Sequence, residues 1–187
     1  MTKLDKVLKL KDGRKLQFTE YGDSTGIPIF MLHGNPNSRL LWECMPGFPF
    51  VEGVRLISPD RPGYGGTDYV HGISTVEQWP DDMIELAGSL NIGRFYVFGP
   101  SGGGPWALSC AQRIPERLLS VGVFAPMGPL DKETIVGMAK APRLLFTIAR
   151  SIPWILKPQF RMTSRLVRKN PELYAKLIKK ELSQIDR

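Results

Sequence analysis

Ser101 stands among small residues, in the run Gly99-Pro100-Ser101-Gly102-Gly103-Gly104. The Gly-x-Ser-x-Gly spacing of Gly99, Ser101 and Gly103 suits one chemistry in particular. A hydroxyl on a sharp strand-to-helix turn is pushed outward, where it can attack a carbonyl carbon. Side chains two residues to either side would collide with the turn, so both positions favour glycine. A helix beginning just after the serine aims unpaired N–H groups and the positive end of its dipole at the same point. The N–H of Gly102 would then face an oxygen on which negative charge develops.

Two further clusters carry polar groups between turn residues. In His33-Gly34-Asn35-Pro36-Asn37-Ser38, Gly34 permits an unusual backbone angle, and the N–H of Asn35 is expected to approach the serine turn. His33 has two readings, as a general base or as a histidine that holds the loop, and its place beside a glycine at a strand end favours the second. The stretch from Pro59 to Thr67 contains Asp60. Its carboxylate could be catalytic, but in so dense a turn it is better suited to accepting backbone hydrogen bonds.

These loops need elements to position them. Phe95-Tyr96-Val97-Phe98 reads as a buried strand, and Trp106 to Gln112 as a helix with Pro105 in its first turn. Val7 to Leu10 and Lys15 to Tyr21 form a predicted hairpin about Asp12-Gly13. Ile27 to Leu32, Val54 to Ser58 and Leu118 to Ala125 are apolar runs expected as buried strands. Leu40 to Met45 is a short helix, and Thr75 to Leu90 a longer one with Val76, Trp79, Met83, Leu86 and Leu90 near one face. Strands alternating with helices predict an α/β fold, a mostly parallel sheet flanked by helices. In such sheets ligands bind beyond the carboxyl ends of the strands, where all three clusters fall.

The texture changes after residue 129. Asp131 to Lys140, Arg143 to Ser151 and Arg161 to Leu182 are expected as helices, with prolines at 142, 153, 158 and 171. The predicted division is a core over 1–129 and a helical cap or lid segment over 130–187. Apolar residues such as Leu144, Trp154 and Leu156 either line a substrate pocket or bury themselves on the core.

The chain has 187 residues with 42% apolar and 23% charged content, values typical of globular proteins. Its net charge of +7 is uneven: from Lys140 to Arg187 there are 12 Lys and Arg against 3 Asp and Glu. No nucleic-acid motif accompanies that charge, so a nucleic-acid partner is not expected. No apolar run predicts a transmembrane segment, and no signal-like segment opens the sequence. Two widely spaced cysteines read as reduced thiols, which points to the cytoplasm. Neither has metal-ligand spacing.

The three clusters, in this order, resemble the α/β-hydrolase superfamily over roughly Leu16 to Pro129. His33-Gly34-Asn35-Pro36 looks like the family's oxyanion loop, Asp60 to Gly65 like the turn after its fourth strand, and Gly99 to Gly103 like its nucleophile elbow. The resemblance implies that Ser101 is the catalytic nucleophile and that the N–H groups of Asn35 and Gly102 form the oxyanion hole. It casts His33, Gly34, Asp60, Gly99 and Gly103 as structural parts of the motif. Dehalogenase and epoxide-hydrolase branches place aspartate at the elbow; serine implies acyl transfer on esters, thioesters, lactones or amides.

One departure is plain. The family order is nucleophile, acid, histidine, yet His33 and His71 both precede Ser101. Asp131 stands where some serine hydrolases keep their acid. The chain is therefore expected to be the N-terminal part of a hydrolase, its acid and histidine lying elsewhere, with a small acyl compound as substrate and no metal or organic cofactor. A sheet ending at its sixth strand would leave an unpaired edge open to self-association. The alternative is a binding module that has lost catalysis.

Overall fold

The computed structural model describes residues 2–45, 52–69, 75–129, 131, 133, 135, 136, 138 and 140–181. The chain divides into two compact units, Met1–Gly128 and Pro129–Arg187.

The first unit is built on one six-stranded sheet. Strands β1 (Thr2–Lys9) and β2 (Lys15–Gly22) form the expected hairpin, in which Gly13 takes the left-handed angle of φ 90° that the turn demands. β3 (Ile27–Met31), β4 (Val54–Pro59), β5 (Phe95–Pro100) and β6 (Leu118–Phe124) complete it. The spatial order is β1-β2-β4-β3-β5-β6. The β1–β2 and β2–β4 pairs are antiparallel; β3–β4, β3–β5 and β5–β6 are parallel. The parallel strands carry the loops of interest at one common edge.

Helices α1 (Thr75–Ser89) and α2 (Gly104–Arg113) pack together on one face. Trp79, Met83, Leu86 and Ala87 of α1 are fully buried with Phe30, Ile57, Phe95 and Val97 of the strands. Each large side chain so placed contributes about 1.5–3 kcal/mol. The Trp79 and Trp106 rings meet edge to face, 5.4 Å between centroids, and lock α1 to α2. Cys110 of α2 is buried in the same cluster, whereas Cys44 is exposed.

The opposite face carries a short 3-10 segment, Arg39–Cys44. Its Trp42 buries against Tyr21, Met31 and Leu56 and donates to the Ser58 hydroxyl at 2.8 Å. Beside it an apolar groove of about 520 Å³ runs over Ile29, Met31, Leu56, Tyr96 and Phe98.

β6 differs from expectation. It reads as a buried strand in the sequence, but only Leu118 is buried, and Phe124 is 69% exposed. The strand has β5 as its one partner among the described residues, so half of its surroundings are open.

The second unit is helical: α3 (Lys140–Ser151), a 3-10 turn Pro153–Ile155, α4 (Leu156–Lys169) and α5 (Pro171–Glu181). The single helix expected over 161–182 is two, broken at Asn170. Proline lacks an N–H and pushes the residue before it out of the helical region; Asn170 sits at φ −149°, ψ 75°. Of the helix expected over 131–140, the described residues 131, 133, 135, 136 and 138 form bends and turns, and α3 begins at Lys140.

Candidate active site

β5 ends at Pro100, and a 3-10 turn, Ser101–Gly103, leads directly into α2. The turn is tight enough to dictate its residues. A Cβ at Gly103 would lie 2.1 Å from the Leu32 carbonyl oxygen, and one at Gly99 would lie 2.5 Å from that of Gly103. Neither can be accommodated without moving backbone. Ser101 itself has φ 50°, a left-handed conformation that costs a non-glycine residue about 1–2 kcal/mol. It is exposed at the mouth of the turn, while Gly102 and Gly103 behind it are buried.

The loop after β3 stands directly against this turn. A Cβ at Gly34 would lie 3.1 Å from the Ser101 Cβ and 3.5 Å from its Oγ. A Cβ at Gly102 would lie 3.1 Å from the backbone nitrogen of Asn35 and 2.8 Å from its Nδ2. The backbone of residues 34–35 and that of 101–102 thus flank one small volume. The Asn35–Pro36 peptide is cis.

The loop after β4 ties the other two together through Arg61, which is 2% exposed. Its Nη1 donates to the Gly102 carbonyl at 2.8 Å. Its Nη2 donates to the Gly34 carbonyl at 3.2 Å and to Asn35 Oδ1 at 2.5 Å. The guanidinium lies 4.8 Å from the Tyr64 ring centre and 5.2 Å from that of Trp106. Tyr64 donates its hydroxyl to Asn35 Oδ1 at 2.7 Å, a second anchor for that side chain. Burial holds the Arg61 pKa below its ordinary value, with Tyr64 opposing. Arg61 and Tyr64 fall inside the Asp60 to Gly65 turn, where the sequence assigns a role to Asp60 alone. A buried cation beneath a surface loop leaves no periodicity to read.

His33 is fully buried, and both ring nitrogens are committed. Nε2 accepts from the Arg61 backbone N–H at 3.1 Å, so the proton sits on Nδ1 and is donated to the Gly34 carbonyl at 2.9 Å. Burial, the largest influence, pushes its pKa down to about 4, with the Arg61 charge also lowering it. The ring is neutral near pH 7 and has no lone pair free to take a proton from Ser101. Asp60 is likewise internal. Oδ1 accepts from the Arg39 N–H at 2.7 Å; Oδ2 accepts from the Arg39 guanidinium at 2.9 Å and the Gly66 N–H at 3.2 Å. It braces the turn and the start of the 3-10 segment. Asp131 belongs to the second unit, is exposed, and accepts the Glu133 N–H at 3.0 Å. His71 lies outside the described residues.

A family model described as the alpha/beta hydrolase fold matches residues 27–149. The chain belongs to that family. Among curated relatives, this hydrolase-fold chain is 29% identical over 122 residues to a proline iminopeptidase of Neisseria gonorrhoeae, covering 63% of the chain and 39% of the relative. It is 26% identical over 137 residues to a bifunctional esterase/perhydrolase of Acinetobacter calcoaceticus, covering 73% and 50%. The chain thus spans two-fifths to half of the length of these relatives. Among solved structures, Cfl2 from Burkholderia cenocepacia superposes with a TM-score of 0.67 at 23% identity, covering 89% of this chain and 59% of that one. That likeness concerns the fold.

Proposed function

We propose that this alpha/beta hydrolase works by acyl transfer through Ser101. The Ser101 oxygen bonds to the carbonyl carbon of an ester, thioester, lactone or amide, and the bond to the alcohol, thiol or amine breaks. Water then releases the acid from the acyl-enzyme. The N–H groups of Gly102 and Asn35 stabilise the tetrahedral oxyanion, each donor being worth about 3 kcal/mol in such sites. Arg61 holds both donors in register. The observation that carries this reading is an exposed serine at φ 50° with the residue 34–35 backbone packed against it. Residues 130–187 are read as part of the family's helical cap, and Asp131 as a candidate acid.

Since His33 is spent on the loop, another group must take the serine proton. A histidine contributed from outside these 187 residues fits the greater length of the curated relatives. The second reading is a catalytically inactive binding module, favoured by the same commitment of His33. Fluorophosphonate labelling of the native gene product tests both. Labelling lost in S101A supports the acyl-transfer reading; equal labelling of wild type and S101A refutes it. No labelling and no ester turnover in the native product supports the binding module.

A further inference from the structure

Helix α4 carries a row of cations. Lys157, Arg161, Arg165 and Arg168 recur at spacings of four, four and three, which stacks them along one side. Together with Phe160 and Ser164 they line an open groove of about 490 Å³. Bare apolar residues flank this row: Phe160 is 56% exposed and Val167 38% along one flank, and Met162 is 69% exposed along the other. The turn leading into the helix adds Trp154 at 67% and Ile155 at 44%. No salt bridge engages any of the four cations among the described residues.

Unpaired cations do not by themselves choose between acidic partners. The apolar residues alongside them do. Long aromatic and aliphatic side chains exposed beside a row of Arg and Lys are the composition of a helix lying in a membrane interface. There the apolar groups enter the acyl boundary while the cations meet lipid phosphates, their stems reaching up past the apolar layer. A folded acidic protein would complement the cations and leave Trp154, Phe160 and Met162 uncovered.

We propose that α4 and the Trp154 turn before it form a docking surface for anionic lipid bilayers. This goes beyond the hydrolase reading and does not depend on it.

The protein carries its own reporter. Trp42, Trp79 and Trp106 are at most 8% exposed, so a change in tryptophan emission on binding comes from Trp154. The experiment titrates the full chain with vesicles of 3:1 phosphatidylcholine to phosphatidylglycerol, and with pure phosphatidylcholine. It follows sedimentation, the emission maximum and quenching by brominated acyl chains. Binding to the anionic vesicles, a blue shift and quenching are expected, with little binding to the neutral ones. Each basic residue at an anionic surface is worth about fivefold in partitioning, so R161Q/R165Q should bind about 30-fold more weakly. F160S/M162S should bind more weakly even at low salt. All four positions are exposed, so unchanged circular dichroism checks that the variants remain folded. Equal binding to neutral and anionic vesicles overturns the proposal. So does salt-sensitive binding without a Trp154 shift or quenching, which would point to an acidic protein or nucleic acid.

Discussion

Arg61 offers the sharpest test of how the site is held, because two large effects oppose each other there. In R61M the chain length is kept and the guanidinium is removed. Three hydrogen bonds from a charged donor are lost, to Gly34, Asn35 and Gly102. At about 1.5 kcal/mol each, the lower end for charged donors, that is about 4–5 kcal/mol. The lower end applies because the acceptors are not all orphaned. The Gly34 carbonyl keeps the His33 ring and the Asn37 N–H, and Asn35 Oδ1 keeps Tyr64. Against the loss, methionine no longer buries a cation whose Nε has no partner among the described residues. Keeping a buried cation out of water costs several kcal/mol that methionine does not incur, which offsets roughly half the loss here. The net expectation is destabilisation by about 2 kcal/mol. Urea denaturation gives the total. Amide hydrogen exchange then shows where it falls, with protection lost at the Asn37 and Gly104 amides, which donate to the Gly34 and Ser101 carbonyls, before α1. A variant within 0.5 kcal/mol of wild type, with those amides still protected, would refute the claim that this guanidinium holds the three loops together.

Other expectations follow from single features. S101G removes the left-handed strain that S101A retains, so S101G should exceed S101A by about 1 kcal/mol in calorimetric stability. His33 has a folded pKa of about 4 against 6.5 for the free ring. The unfolded state therefore binds more protons in between, and the stabilisation is complete above pH 6.5 and lost as pH falls towards 4. Between pH 7 and 4, wild type should lose about 3 kcal/mol that H33Q does not, measured by denaturation at each pH. The open side of β6, with Leu119 and Val123 over 39% exposed, is expected to support self-association at high protein concentration. L119K/V123K should then lower the mass seen by light scattering; a wild-type chain monomeric throughout would contradict this.

Much of the core architecture is legible in the sequence because it depends on short-range rules. Four apolar runs and one alternating hairpin strand mark five of the six strands to within two residues, though β1 starts five residues before the expected Val7. Alternation of strand and helix placed the loops after β3, β4 and β5 at one edge, which is where they meet. The crowding around Ser101 is written in glycines that admit no Cβ. What escaped detection depends on distant neighbours. Arg61 looks like a turn residue until two other loops close over it. The exposure of β6 is set by what pairs with it, and an apolar run is the same whether one side is covered or two. The break at Asn170 was signalled by Pro171, but helical periodicity on both sides outweighed a single local cue.

The contrast between the two thiols has a practical consequence. Burial pushes the Cys110 sulfhydryl up to about 12, so it stays protonated and sheltered from alkylating reagents. Cys44 is exposed at the end of the 3-10 segment, two residues past Trp42. A maleimide dye therefore attaches at one position without any engineered mutation. Its fluorescence would report on the 3-10 segment, whose Trp42 packs on Met31 and Leu56, two residues that also line the apolar groove.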